Sequence, residues 1–188
     1  MKKNLIISLK LTVICLVSVL FLTLVNFLTE GKIKQNAVKT EENANKKLIP
    51  DGKKFIKKNF KDIEDPKSEN YYYLVENDES LVGYIISAVG KGYGGDMKIM
   101  IAVDPNFTII NMKMLKNSET PGIGKKAETD EYMKKFIGTN TPEKKFPENK
   151  SMLSQEEKDA ITGATITFNG IAKITFESLE MLKKEIKG

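Results

Sequence analysis

The fold is decided by residues 71–115, YYYLVENDESLVGYIISAVGKGYGGDMKIMIAVDPNFTIINMKML, which contain two pairs of strand-like segments. In the first pair, Tyr71–Val75 and Leu81–Val89 are rich in aromatic and β-branched residues, the types that strands favour. Residues 76–80 between them are turn-forming. The sequence therefore predicts a β-hairpin here.

A second pair of strands follows directly. From Met97 to Val103, apolar residues alternate with smaller or polar ones, which is the period of a β-strand. Asp104-Pro105-Asn106 predicts a turn, and Thr108–Leu115 forms the returning strand. Two successive hairpins indicate a mostly antiparallel sheet.

Helices are predicted after the strands. A shorter one runs from Thr129 to Ile137 and ends at Gly138, whereas residues 48–65 show no clear pattern. Near the C-terminus, apolar residues at spacings of three and four predict the longest helix of the domain. They are Ala172, Phe176, Leu179, Leu182 and Ile186. Strands followed by a docked C-terminal helix predict an α+β domain with a mostly antiparallel sheet and packed helices.

The N-terminal part predicts a single-pass protein of the cell (inner) membrane. Residues 11–28, LTVICLVSVLFLTLVNFL, are 18 uncharged residues, nearly enough to cross a hydrocarbon core of about 30 Å as a helix. A cleaved signal peptide is the alternative, but no small-x-small motif closes the run. Lysines within residues 1–10 favour a cytoplasmic N-terminus. Residues 29–47 then form a polar stalk or surface helix, and residues 48–188 form an extracytoplasmic domain.

Composition excludes several kinds of site. The chain has no His and one Cys, Cys15, which lies inside the apolar run. Imidazole-based triads, zinc sites, iron–sulfur clusters and haem attachment are therefore excluded unless another chain supplies ligands, and no metal site is predicted. The net charge is +5, with lysines dispersed among acidic residues, so no one-sided basic footprint for nucleic acid is expected. Redox chemistry would need an organic cofactor.

Two loops carry residues suited to ligand binding. Gly90–Gly95 has four glycines in six residues, which let a flat ligand or another backbone approach closely. Ser118–Gly124 combines a Pro-Gly turn with the carboxylate of Glu119 and the hydroxyl of Thr120. The first loop also fits a wide hairpin connection, and the second fits an ordinary turn.

A third loop, Asp159–Thr165, leads directly into the predicted C-terminal helix. The unpaired N–H groups and positive dipole end of a helix N-terminus bind phosphate, and Gly163 and Ala164 leave that position unobstructed. The alternative is a helix N-cap by Thr162 or Thr165. An N-cap needs only one hydroxyl, whereas two flank the Gly-Ala pair here.

These three loops together resemble the FMN-binding domain of the G subunit of Rnf-type electron transport complexes, a relative of the NqrC subunit of the sodium-pumping quinone reductase. GYGG, ETPGIG and TGAT occur in the family's order behind one N-terminal membrane anchor. The resemblance implies that a flavin transferase joins FMN covalently to Thr165 through a phosphoester bond. It also implies that the cofactor is bound by Tyr93, Gly94, Gly95, Glu119, Thr120, Pro121, Gly122, Gly124, Asp159, Thr162, Gly163 and Ala164.

The same resemblance implies an electron-transfer subunit of a membrane-bound, ion-translocating oxidoreductase complex of the ferredoxin:NAD type. Its partners would be the other membrane subunits of the complex, with no diffusible substrate of its own, no nucleic acid and no catalysis by the isolated chain. Two alternatives stay open. One is a stand-alone extracytoplasmic flavoprotein electron carrier, and the other is a cofactor-free, membrane-tethered binding module whose loops are only turns.

Overall fold

Within the residues that the structure describes, five strands form an antiparallel sheet at the centre of the C-terminal part of the chain. In the computed structural model each strand pairs with its neighbour in sequence, and every pair is antiparallel. The strands are β1 (Lys54–Asn59), β2 (Tyr71–Asn77), β3 (Ser80–Lys91), β4 (Asp96–Val103) and β5 (Ile109–Lys116). The predicted α+β fold class with an antiparallel sheet is confirmed.

The structure describes residues 2–61, 70–78 and 80–187, with the backbone alone for residues 2–5. One residue of the predicted turn 76–80, Glu79, lies outside these ranges, as does the end of the stretch 48–65. The chain divides into two compact units, Met1–Glu41 and Glu42–Gly188.

The first strand, β1, lies in a stretch for which the sequence shows no pattern. Its residues KFIKKN are mostly exposed, and they form the outer strand of the sheet next to β2. The Nζ of Lys57 lies 3.4 Å from the ring centroid of Tyr71 on β2, which is a cation–π contact. Pairing with β2 holds this strand, so its own sequence needs no alternation of apolar residues.

Three helices follow the sheet: α2 (Asp130–Met133), α3 (Gln155–Ala160) and α4 (Thr165–Lys187). Short 3₁₀ turns precede α2 and α3, at Gly124–Glu128 and Lys150–Met152. The long helix α4 is the predicted C-terminal helix, and its apolar face joins the main core. Two members of its predicted apolar stripe, Phe176 and Ile186, remain partly exposed.

The helix predicted from Thr129 to Ile137 is too long. Only Asp130–Met133 is α-helical, and the chain then passes through turns to Gly138, whose φ is +72°. The cause is tertiary, because the N–H of Gly138 donates to the carbonyl of Ile109 at the start of β5, 2.7 Å away. This hydrogen bond holds the chain against the sheet at Gly138, so the helix does not continue for a second turn.

Both faces of the sheet are buried. On β4, Ile99 and Ile101 belong to one apolar cluster, and Met100 and Ala102 belong to another. Helix α4 closes the first cluster, and Leu48 belongs to the second. The alternation read from the sequence therefore separates two apolar cores, rather than a core from solvent.

The N-terminal helix α1 spans Lys2–Leu48. It therefore includes both the apolar run 11–28 and the polar residues 29–47, for which a helix is one of the two predicted forms. An 18-residue window of this helix has a mean hydropathy of 2.6, and none of the window is buried. Hydroxyls within the run donate to carbonyls four residues earlier, as Ser18 does to Ile14 at 2.9 Å. By length and composition this helix can cross a membrane.

Candidate functional site

A cleft of about 290 Å³ lies where the three loops meet. This volume is close to the lower end of the range for small-molecule sites. Each loop, or the helix that follows it, contributes to the lining. The lining residues are Tyr93 from the first loop, Glu119, Thr120, Ile123 and Gly124 from the second, and Gly163, Ile166 and Thr167 around the start of α4.

The carboxylate of Glu119 lies between the three segments and is almost fully buried. One oxygen, Oε1, accepts a hydrogen bond from the N–H of Gly94 at 3.1 Å. The other, Oε2, accepts one from the hydroxyl of Thr167 at 2.8 Å. The N–H of Glu119 itself donates to Oδ1 of Asn117 at 3.0 Å. The side chain is therefore held by hydrogen bonds from the first loop and from the first turn of α4.

The turn that follows Glu119 has the geometry that its sequence predicts. The carbonyl of Thr120 accepts hydrogen bonds from the N–H groups of Ile123 and Lys125, both at 3.2 Å. Pro121 and Gly122 occupy the exposed corner, and Gly122 has a φ of +77°. Pro followed by Gly with positive φ is the type II arrangement. This turn brings Ile123 and Gly124 to the cleft wall.

The TGAT segment places Thr165 as the first residue of α4. The preceding chain reverses at Gly163, whose φ is +84°. Thr165 is exposed, and its hydroxyl makes no hydrogen bond within the described ranges. The hydroxyl of Thr162 donates backwards to the carbonyl of Lys158 at 3.4 Å. Neither threonine therefore serves as an N-cap for α4.

Among the helices that the structure describes after the sheet, α4 begins differently from the others. Thr129 caps α2 and Ser154 caps α3 through their side chains. Buried Ala164 precedes α4, and its carbonyl accepts the first helical bond, from Phe168 at 2.9 Å. The N–H groups of residues 165–167 have no intrahelical partner in such a helix. Such unpaired N–H groups are able to bind an anion, and Thr165 is the first residue of this helix.

The predicted site residues divide into two groups. Tyr93, Glu119, Thr120, Gly124 and Gly163 line the cleft. The others are in the same three segments outside the lining: Gly94, Gly95, Pro121, Gly122, Asp159, Thr162, Ala164 and Thr165. Of these, Asp159 is exposed on α3, where its Oδ1 accepts a hydrogen bond from Gln155 at 2.9 Å.

Three lining residues were not predicted: Ile123, Ile166 and Thr167. The last two lie in the first turn of α4, directly after the TGAT motif. Their closeness in sequence to that motif is the signal by which the sequence could have identified them. Nothing local marks Thr167 as the partner of Glu119, because the two residues are 48 positions apart.

Behind the second loop, Tyr132 of α2 is 3% exposed. Its ring packs against that of Phe168, with centroids 6.3 Å apart, and its hydroxyl has no hydrogen-bond partner in the described part of the chain. Burial raises the pKa of Tyr132 well above its usual value, and the nearby charge of Glu119 raises it further. Tyr132 is therefore a neutral side chain at any physiological pH.

Comparisons with known proteins show what the chain is similar to. Residues 92–180 match the FMN-binding domain family, and this range contains the second and third loops and all of the first loop except Gly90 and Lys91. The chain is 27% identical over 172 residues to the G subunit of the proton-translocating ferredoxin:NAD(+) oxidoreductase complex of Clostridium ljungdahlii, covering 92% of this chain and 88% of that protein. It is also 27% identical over 172 residues to the G subunit of the Na(+)-translocating ferredoxin:NAD(+) oxidoreductase complex of Acetobacterium woodii, covering 86% and 83%.

A solved structure agrees in fold. The crystal structure of the C subunit of the Na(+)-translocating NADH-quinone reductase from Parabacteroides distasonis superposes with a TM-score of 0.52 at 20% identity, covering 73% of this chain and 79% of that one. Residues 92–180 are therefore similar to the FMN-binding domain family, and the chain as a whole is similar to the G subunits of ion-translocating oxidoreductase complexes.

Proposed function

We propose that FMN occupies the cleft and is joined through its phosphate to the hydroxyl oxygen of Thr165. The observation that carries this proposal is the start of α4, where an exposed hydroxyl without a hydrogen bond in the described part of the chain adjoins a helix N-terminus without a side-chain cap. Free N–H groups and the positive end of the helix dipole stabilise the negative charge of a phosphate group at such a position. A helix that used Thr162 or Thr165 as its cap would lack this opening.

The cleft also suits the ring system of a flavin. Tyr93, Ile123 and Ile166 line it and are 68%, 44% and 58% exposed. Three large apolar side chains around one cleft are covered when a flat aromatic ligand binds. The hydroxyl of Thr120 adds a polar group for orientation. When bound, FMN supplies one- or two-electron transfer, and these residues bind and orient its ring.

Attachment requires a separate enzyme, a flavin transferase, which would break the pyrophosphate bond of FAD, transfer the FMN moiety to the Thr165 oxygen and release AMP and the hydroxyl proton. A threonine hydroxyl is a weak nucleophile at neutral pH and needs an adjacent base. The chain has no His to serve as that base, and Thr165 has no hydrogen-bond partner in the described residues. Its exposure leaves the hydroxyl accessible to an external active site.

We infer that the chain is an electron-transfer subunit of a membrane-bound, ion-translocating oxidoreductase complex. The G-subunit relatives support this assignment over a stand-alone carrier. The apolar run 11–28 contains no ionisable acid, so the ion pathway belongs to partner subunits. The lysines before the run favour a cytoplasmic N-terminus, with the FMN-binding domain outside the cytoplasm.

The attachment site is tested with two variants of one residue. Thr165→Val removes the hydroxyl and keeps the branched shape, whereas Thr165→Ser keeps the hydroxyl. In a host with flavin transferase, the wild type and Thr165→Ser are expected to gain the mass of one FMN less water and to fluoresce in a denaturing gel. Thr165→Val is expected to do neither, while remaining in the membrane fraction.

Fluorescence retained by Thr165→Val would place the flavin on another residue. A wild type that stays unmodified, in cells that flavinylate other proteins in this way, would favour the cofactor-free module. Purification in mild detergent then tests the assembly. Co-purification of multi-span subunits and an iron–sulfur protein supports the complex, and isolation of a flavinylated chain alone supports the stand-alone carrier.

A further inference from the structure

The carboxylate of Glu119 connects parts of the chain that are far apart in sequence. Its two oxygens bind different segments, the N–H of Gly94 in the β3–β4 connection and the hydroxyl of Thr167 in α4, at 3.1 and 2.8 Å. The side chain is 3% exposed. Both contacts are therefore made in a largely dry environment, where hydrogen bonds are strong and an unmade one is costly.

The glycines of two motifs leave room for this carboxylate. A Cβ at Gly92 would overlap Oε1 of Glu119, and a Cβ at Gly124 would overlap Oε2. A Cβ at Gly94 would overlap the carbonyl of Ser118. Only glycine fits at these three positions, because the second loop and the carboxylate of Glu119 fill the space beside them. The glycines thus serve contacts between the loops, in addition to any ligand.

Within the residues that the structure describes, no Lys forms an ion pair with Glu119. Its two hydrogen-bond donors, the N–H of Gly94 and the hydroxyl of Thr167, are both neutral groups. A buried acceptor that loses such a donor is left without a hydrogen bond, which is costly whether or not the acceptor carries a charge. Separation of either neighbouring segment from Glu119 is therefore unfavourable.

We propose that Glu119 is a positioning residue that joins the first two loops to the first turn of α4, so that the cleft is formed before any cofactor is attached, through the geometry of its two hydrogen bonds. The proposal rests on the proposed function only for the identity of the cofactor. The connection itself is a property of the flavin-free chain, so it is tested without flavin.

Variants of both partners separate the geometry of the side chain from its charge. Glu119→Ala removes both hydrogen bonds. Glu119→Gln removes the charge but can keep both, because its Oε1 accepts from Gly94 and its amide donates to a reversed Thr167 hydroxyl. Thr167→Val removes one bond, and Thr167→Ser restores it. Thr175→Val is the matched control, since Thr175 is on the same helix, fully buried and without a hydrogen-bond partner among the described residues.

The experiment measures amide hydrogen exchange in the full-length, flavin-free protein, prepared in detergent from a host without flavin transferase. The N–H of Gly94 is expected to exchange about tenfold faster in Glu119→Ala than in the wild type. Glu119→Gln and Thr167→Ser are expected to restore protection to near the wild-type rate. The N–H of Gly94 is expected to exchange faster in Thr167→Val than in Thr175→Val. The amide of Ile101 in β4 reports any global loss of stability.

A second measurement is the fraction of each variant that acquires flavin when the transferase is present. The fraction should fall in Glu119→Ala and Thr167→Val and recover in Glu119→Gln and Thr167→Ser.

The proposal is overturned if Glu119→Gln behaves as Glu119→Ala does, because charge would then be the cause. Unchanged Gly94 exchange in Glu119→Ala and Thr167→Val also overturns it. If Glu119→Ala does not fold, the threonine variants decide. Absence of flavin in the wild type would contradict only the proposed function.

Discussion

At the scale of single residues, Tyr132 shows how the site constrains the core behind it. The side chain is buried against Phe168, and its hydroxyl lacks a partner among the described residues. A buried hydroxyl without a hydrogen bond costs about 1 to 3 kcal/mol. The folded state tolerates this group only while it is neutral, because burial and the charge of Glu119 both raise its pKa.

Tyr132→Phe is therefore expected to raise the free energy of unfolding by about 1 kcal/mol at pH 7. The advantage should grow above about pH 10, the ordinary pKa of tyrosine. The unfolded chain then releases this proton while the folded chain retains it, so the wild type loses stability as pH rises. Urea titrations at pH 7 and at about pH 10.5, followed by circular dichroism, measure both differences.

Tyr93→Phe is the control for that comparison, since Tyr93 is mostly exposed. The free energy of unfolding of this variant should match that of the wild type at both pH values. Tyr72 and Tyr84, whose pKa values are also raised by burial, are present in every variant and cancel in the difference. If the stability difference between Tyr132→Phe and the wild type did not change with pH, the raised pKa of Tyr132 in the folded state would be contradicted.

Sequence reasoning reaches some of these residues and not others. Thr165 and Glu119 belong to motifs, so their neighbours along the chain are enough to mark them. Thr167 and Tyr132 acquire their roles from neighbours that are distant in the chain. The hydroxyl of Thr167 donates to a carboxylate, whereas the hydroxyl of Thr175 has no hydrogen-bond partner among the described residues. The sequence does not distinguish these two threonines, because both lie on the apolar face of the same helix.

At the scale of elements, helix α3 depends on its cap. It has six residues and none is buried, so packing contributes little to it. The hydroxyl of Ser154 accepts from the N–H of Glu157 at 3.3 Å, and Oε2 of Glu157 accepts from the N–H of Ser154 at 2.9 Å. This capping box holds the helix that leads into the TGAT segment.

Ser154→Ala is expected to destabilise α3 by about 1 kcal/mol. The effect should be local, seen as faster hydrogen exchange in residues 157–160 with a smaller change in global unfolding. Ser154→Asp keeps an N-cap acceptor and should behave like the wild type. Equal exchange in the alanine and aspartate variants would show that the cap does not hold the helix.

Element predictions succeed where a pattern is local. The hairpins of residues 71–115 carry their own alternation and turns, and α4 carries its own apolar stripe. Strand β1 has no such pattern, because cross-strand contacts such as that of Lys57 with Tyr71 stabilise it. The helix predicted to Ile137 ends early for the same kind of reason, since Gly138 is hydrogen-bonded to β5.

At the scale of the whole molecule, the proposed orientation makes the domain that follows the apolar run accessible from outside the cytoplasm. Cys15, the one cysteine of the chain, lies in the apolar run, so a new surface cysteine can be labelled selectively in a Cys15→Ala background. Lys145 is exposed. A membrane-impermeant maleimide is expected to label Lys145→Cys in intact spheroplasts.

A cysteine placed before the apolar run, as Lys3→Cys, is the control and should react only after lysis. The reverse pattern would contradict the orientation inferred from the N-terminal lysines. Release of the protein from the membrane without its first residues would instead indicate a cleaved signal peptide.

The strand order has a consequence for the sequence of events during folding. Each strand pairs with the one that precedes it along the chain, so the hairpins close between near neighbours at low entropic cost. The contact between Glu119 and Thr167 spans 48 positions. It can form only after α4, the last helix of the chain, has packed against the second loop. Flavinylation at the head of that helix would then act as a maturation mark, carried only by chains that have folded to the end.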